Sequence, residues 1–145
     1  DLLGWSCERP DYRDLDALQQ PLGDVEARIE RLYELAKAIN GPVLLAGSSM
    51  GSFISAQVSL RLPVRGLFLM APPISLQGYE MRLQTAAVPL SIVHGWHDEL
   101  IPADDVLGWA KQHNARICMV NDDHRLSAHV DYCAQQFALF LGSLP

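Results

Sequence analysis

Gly47-Ser48-Ser49-Met50-Gly51 follows Pro42-Val43-Leu44-Leu45-Ala46 and precedes Ser52-Phe53-Ile54-Ser55-Ala56-Gln57-Val58-Ser59-Leu60. The five central residues fit Gly-x-Ser-x-Gly, a pattern that holds a nucleophilic serine on a tight strand-to-helix turn. The apolar run before it reads as a buried strand and the run after it as a helix, so the motif has the flanks its geometry needs. A turn this tight strains the backbone of its central residue and leaves little room on either side. Gly47 and Gly51, lacking a Cβ, are expected to supply that room. Ser49 Oγ then projects from the carboxyl edge of a parallel sheet. The backbone N–H of Met50, at the helix start, is placed to donate to a developing oxyanion.

Strands and helices alternate outward from this turn. Residues 5–9 read as a short strand ended by Pro10. Asp24 is expected to cap a helix running to about Asn40, with Gly41 ending it. Val25, Ile29, Leu32, Ala36 and Ile39 give that helix one apolar stripe at helical spacing. Residues 64–71 read as a third strand stopped by Pro72-Pro73, residues 89–94 as a fourth and residues 115–120 as a fifth. Pro102 opens a helix to about His113. Ser127 caps a last helix in which Val130, Ala134, Phe137 and Leu141 face inward, and Gly142 ends it. The strand cores are continuous apolar runs, the mark of parallel strands covered on both faces. The expected fold is α/β: a mainly parallel central sheet flanked by helices on both faces, in a single domain over residues 1–145.

Composition narrows the classes of function. A chain of 145 residues suggests one domain, able to bury about two-thirds of its unfolded surface. The net charge of −6, without a basic stripe, lacks the electrostatic footprint of nucleic-acid binding. No apolar run approaches the length of a membrane span. Cys7, Cys118 and Cys133 are odd in number and unpaired in spacing, which argues against a disulfide framework and for a reducing compartment. All three lie in apolar segments and are expected to be buried thiols. The chain starts at Asp1 with no signal-like segment, and the expected location is cytoplasmic.

A serine hydroxyl is a poor nucleophile at neutral pH, so it needs a base, and the base needs an orienting acid. In open α/β sheets such groups gather at the carboxyl ends of the strands. The loop after the fourth strand, His94-Gly95-Trp96-His97-Asp98-Glu99-Leu100-Ile101-Pro102, offers Asp98. The loop after the fifth, Asn121-Asp122-Asp123-His124-Arg125-Leu126, offers His124.

On three stretches the chain resembles the α/β-hydrolase family: the elbow around Ser49, His94-Gly95-x-x-Asp98 with Ile101-Pro102 after it, and the acidic loop holding His124. Chain order and strand–helix context agree with that family. The resemblance implies Ser49 as nucleophile, His124 as base, Asp98 as the acid and Met50 N–H as one oxyanion donor. It implies a carboxylesterase- or thioesterase-like serine hydrolase working through an acyl-enzyme on small ester or thioester substrates, with no cofactor. The family supplies a second oxyanion N–H from a loop after an early strand, and no such strand and loop precede Trp5 here. A catalytically weak, hydrolase-like binding module, or an amide or carbon–carbon hydrolase, are the alternatives.

Each candidate has rivals. Ser49 alone would pass for a helix cap, and Ser48 and Ser52 are read as structural. Glu99, Asp104 and Asp105 compete with Asp98, but the latter two fall in a first helical turn, where carboxylates favour the dipole. His94 sits at a strand end, where a structural hydrogen bond is expected. His97 shares the acid's own loop, and His113 and His129 fall within helices. No H-E-x-x-H or C-x-x-C spacing supports a metal site. Trp96, Tyr79 and Met81 read either as pocket lining or as core. Only residues 72–88 separate the third and fourth strands, too few for a helical cap, so an open site is expected.

Overall fold

The computed structural model describes residues 4–17, 23–76 and 79–145. Along the chain run α1 (Arg13–Ala17), α2 (Gly23–Lys37), β1 (Leu45–Ser48), α3 (Met50–Ser59), β2 (Leu67–Met70), β3 (Ser75–Leu76), β4 (Tyr79–Arg82), β5 (Leu90–Gly95), α4 (Ala103–Gln112), β6 (Arg116–Val120), a 3-10 turn (Ser127–His129) and α5 (Val130–Ser143). β1, β2, β5 and β6 lie side by side in that order, and each adjacent pair is parallel.

Side chains alternate across a strand, so each strand feeds two cores. Leu67 and Leu69 of β2 share one face with Leu45 and Ile92, where α2, α3 and α4 contribute Val25, Ile29, Phe53, Ile54, Val106 and Trp109. Phe68 points to the other face with Val93 and Val120, where α5 contributes Cys133 and Phe140. Burial on both sides is why the strands are apolar at successive positions. Between β2 and β5 the described residues form no helix and no cap domain. β3 and β4 make a small antiparallel ribbon that the sequence reading did not anticipate. The Tyr79 and Phe53 rings meet edge to face, with centroids 5.6 Å apart, and Tyr79 so packs against the core.

Several expectations need correction. Residues 5–9 do not form a strand; Trp5 makes a single β-bridge and residues 6–9 have no regular secondary structure. A strand needs a neighbour to exchange N–H and C=O groups with. Here a cavity of about 1010 Å³ lies between residues 4–10 and β1, lined also by Leu35 of α2, by Ile39 just beyond that helix, and by Phe137 and Leu141 of α5. Among the described residues β1 is therefore an edge strand. α2 begins at Gly23, so Asp24 falls inside its first turn and not at the cap, and the Asp24 side chain lies outside the described residues. The helix stops at Lys37, short of Asn40. The last helix starts at Val130 after the 3-10 turn, with His129 and not Ser127 in the cap position, and it runs past Gly142.

The inward stripe on α5 is only half right. Phe137 and Leu141 pack inward, but Val130 is 65% exposed and Ala134 is exposed as well. Both border a second cavity, of about 400 Å³, between α5 and Ala46, Ser48, Phe68 and Met70 of the sheet. The stripe faces the sheet without being covered by it. Cys7 is exposed and Cys118 is half-buried; only Cys133 is buried as expected. Among the described residues no helix is long and apolar enough to cross a membrane.

Candidate active site

The elbow is built from close backbone approaches. Ser49 sits at φ 54°, ψ −123°, a left-handed conformation that a side-chain-bearing residue adopts only when its surroundings impose it. Its N–H donates to the Met70 carbonyl on β2 (2.9 Å), and its own carbonyl accepts from Ser52 N–H (2.9 Å). Ser52 is fully buried, and its hydroxyl lies 2.9 Å from both the Gly47 and Met70 carbonyls, which ties the turn to two strands. A Cβ at Gly47 would meet the backbone of Gly51 and Ser52, so only glycine fits. Gly51 is different: a Cβ there meets nothing within 4 Å, because the residue borders the larger cavity. The expectation that both glycines relieve crowding holds for Gly47 and fails for Gly51.

Three side chains from three loops meet over this turn. Ser49 Oγ lies 2.9 Å from Nε2 of His124. Nδ1 of His124 lies 2.8 Å from Oδ2 of Asp98. The Asp98 side chain is completely buried and that of His124 is 13% exposed. Asp98 Oδ1 accepts the N–H groups of Leu100 (2.9 Å) and Ile101 (2.8 Å). Its carboxylate is thus fixed by its own loop before His124 reaches it. The partners assign one tautomer of His124: Nδ1 carries the proton toward Asp98, and Nε2 is free to accept from the serine hydroxyl. Met50 is the first residue of α3, and a helix's first N–H groups have no acceptor inside the helix.

The competing residues take other places. Asp104 and Asp105 are in the first turn of α4. His97 is exposed, and Glu99 accepts the backbone N–H of His124 through Oε2 (3.3 Å). His113 bonds the Trp109 carbonyl (2.8 Å) and stacks on that ring. His129 Nδ1 lies 2.9 Å from Oδ2 of Asp122, which also receives Ala128 N–H; these bonds, that of His129 first, hold the Asp122 carboxyl below its ordinary range. Trp96 is half-exposed and lines neither of the two cavities. Met81 is 45% exposed on the β3–β4 ribbon. Among the described residues no cluster of three or more His, Cys, Asp or Glu is arranged to hold a metal ion.

The sequence reading missed two supports. One is the double anchoring of the elbow on the Met70 carbonyl. The other is the bond from the Glu99 carboxylate to the His124 backbone. Neither has a local signature, because both depend on how neighbouring strands are registered.

Comparison with known proteins agrees with this architecture. Residues 13–136 match a family model described as an alpha/beta hydrolase domain. A crystal structure from Xanthomonas campestris pv. campestris, assigned to the alpha/beta hydrolase superfamily, superposes with a TM-score of 0.93 at 56% identity. That match covers 98% of this chain and 84% of the other. A YdeN-like hydrolase from Pectobacterium atrosepticum gives 0.71 at 19% identity, covering 83% of this chain and 71% of its own. An esterase from Pyrococcus furiosus gives 0.69 at 12% identity, covering 85% and 62%. At such identities the last two speak to the fold alone. No curated protein matches the chain in sequence.

Proposed function

Because the chain belongs to the alpha/beta hydrolase domain family, we propose that it is a serine hydrolase cleaving small carboxylic ester or thioester substrates through an acyl-enzyme. The observation that carries this reading is the continuous hydrogen-bonded line from Ser49 Oγ through His124 to Asp98, at 2.9 and 2.8 Å. His124 Nε2 takes the hydroxyl proton as Ser49 Oγ attacks the carbonyl carbon. Asp98 holds the ring in the required tautomer and stabilises the imidazolium. Met50 N–H donates to the oxyanion. His124 then hands its proton to the departing alcohol or thiol. Water repeats the sequence on the acyl-enzyme and frees Ser49.

Substrate size follows from what surrounds the serine. Only the β3–β4 ribbon stands between β2 and β5, so nothing helical among the described residues closes over the site. An open site suits short or flexible acyl groups. A chain-length series of p-nitrophenyl esters should peak at short acyl chains; a maximum at long chains would count against the assignment.

A second reading is favoured by one observation. β1 borders a cavity of about 1010 Å³ where residues 4–10 run without a paired strand, and Met50 N–H is the one oxyanion donor this reading assigns. Loss of one oxyanion donor typically costs on the order of 100–1000-fold in turnover. A protein so limited would serve as a binding module. A fluorophosphonate probe decides between the readings. Labelling at Ser49, absent from Ser49→Ala, supports the hydrolase; a folded chain that stays unlabelled supports the binding module.

A further inference from the structure

His94 lies near the end of β5 with its side chain completely buried, and the reaction proposed above gives it no role. Burying an imidazole is costly unless its polar atoms are used. Nε2 lies 3.0 Å from the Ile101 carbonyl oxygen, so Nε2 carries the proton and donates it there. The same nitrogen is 3.5 Å from Oδ2 of Asp98. Nδ1 is buried without a hydrogen-bond partner. An apolar side chain would fill this space without that orphaned atom, so packing alone does not account for a histidine here.

The contacts form a closed circuit. Asp98 Oδ1 receives the Leu100 and Ile101 N–H groups, and the Ile101 carbonyl receives the His94 proton. Asp98 Oδ2 faces His94 Nε2 on one side and His124 Nδ1 on the other. The acid's loop is therefore stitched to β5 at its far end, and rotation of the carboxylate away from His124 would carry it off the His94 dipole. We propose that His94 is a positioning residue that holds the Asp98 carboxylate in line with His124. This role rests on the serine-hydrolase reading.

Burial keeps the His94 imidazole below its ordinary pKa, outweighing the Ile101 carbonyl and the Asp98 charge, which pull it up; His124 adds slightly to the lowering. A neutral ring offers Asp98 a dipole and does not draw it into a full ion pair in competition with His124. The charged or titratable groups facing this circuit are Asp98, His124 and Glu99, whose carboxylate accepts the His124 backbone N–H.

The test compares wild type, His94→Gln and His94→Leu on a short ester. Gln returns an N–H close to the position of Nε2, and Leu removes it. Leu is expected to lower kcat roughly ten- to a hundredfold at unchanged KM, as small misplacements of a catalytic group do. Gln should recover most of the lost kcat. Equal kcat in His94→Leu and wild type overturns the role. Nitrogen-15 imidazole spectra of wild type test it without a variant: Nε2 protonated with Nδ1 bare is expected, and a proton on Nδ1 overturns it. Fluorophosphonate labelling of wild type keeps the two ideas apart. A wild type that does not label at Ser49 sinks both, whereas labelling combined with an indifferent His94→Leu sinks the His94 role alone.

Discussion

Ser49 Oγ and His124 Nε2 stand 2.9 Å apart although the backbone of Ser49 is held at φ 54° to make the contact possible. The strain and the contact belong to the same residue, so they can be separated by substitution. Glycine accepts this backbone at no steric cost, whereas alanine keeps the strain. Ser49→Gly should therefore gain about 1 kcal/mol of stability over Ser49→Ala, with turnover abolished in both. Urea denaturation of the two variants checks this; equal midpoints would mean the turn is not strained.

Gly47 and Gly51 are predicted to part company. A Cβ at Gly47 runs into the Gly51 and Ser52 backbone, whereas at Gly51 it meets open space. Gly47→Ala should lose roughly 1–3 kcal/mol through overpacking. Gly51→Ala should keep or raise the melting temperature, since alanine is the better helix former. A thermal melt in which both variants fall alike would contradict the geometry at Gly51.

Asp98→Asn leaves a carbonyl oxygen for the Leu100 and Ile101 N–H groups but turns an N–H toward His124 Nδ1. The ring is then pushed into the tautomer that cannot accept the serine proton. Turnover should fall on the order of a thousand- to ten-thousandfold with little loss of stability. Steady-state kinetics beside a thermal melt read both quantities; near-wild-type turnover would remove Asp98 from the mechanism.

His94 makes stability depend on pH. Its imidazole titrates below 6.5 in the folded protein and near 6.5 once unfolded. The unfolded chain thus binds more protons as pH falls through that value, and acidification favours unfolding until the folded-state value is reached. Wild type should lose stability on going from pH 7.5 toward pH 5, and His94→Gln should lose less. Denaturant midpoints across that range test the sign; parallel curves would show that His94 titrates alike in both states.

The parallel sheet was legible in the sequence because burial on both faces leaves continuous apolar runs such as Leu67-Phe68-Leu69-Met70. The Ser49, Asp98 and His124 positions were legible too, since each follows a recognisable strand. The β3–β4 ribbon was not, because its pairing depends on residues with no alternating pattern. Residues 5–9 misled for the opposite reason: they look like a strand, but strand formation depends on a neighbour, and a cavity lies between them and β1. The exposure of Val130 escaped notice because periodicity gives the side of a helix that faces the sheet and not whether the sheet covers it. Gly51 was misjudged because a motif specifies residue types without saying which of its glycines is crowded.

The strand order carries a consequence for biogenesis. Ser49 follows β1 at one end of the described sheet and His124 follows β6 at the other, so the strands that carry them stand three spacings apart, roughly 14 Å at ordinary strand spacing, and the side chains meet across that gap. Every strand between must be in register before the serine meets a base. Such long-range pairing is slow to form, and a nascent chain that has not yet delivered residue 124 carries the elbow with nothing to activate it. Under the proposed serine-hydrolase function, reactivity of Ser49 would thus appear last during synthesis and vanish first when an edge of the sheet frays, and the serine would report a finished fold.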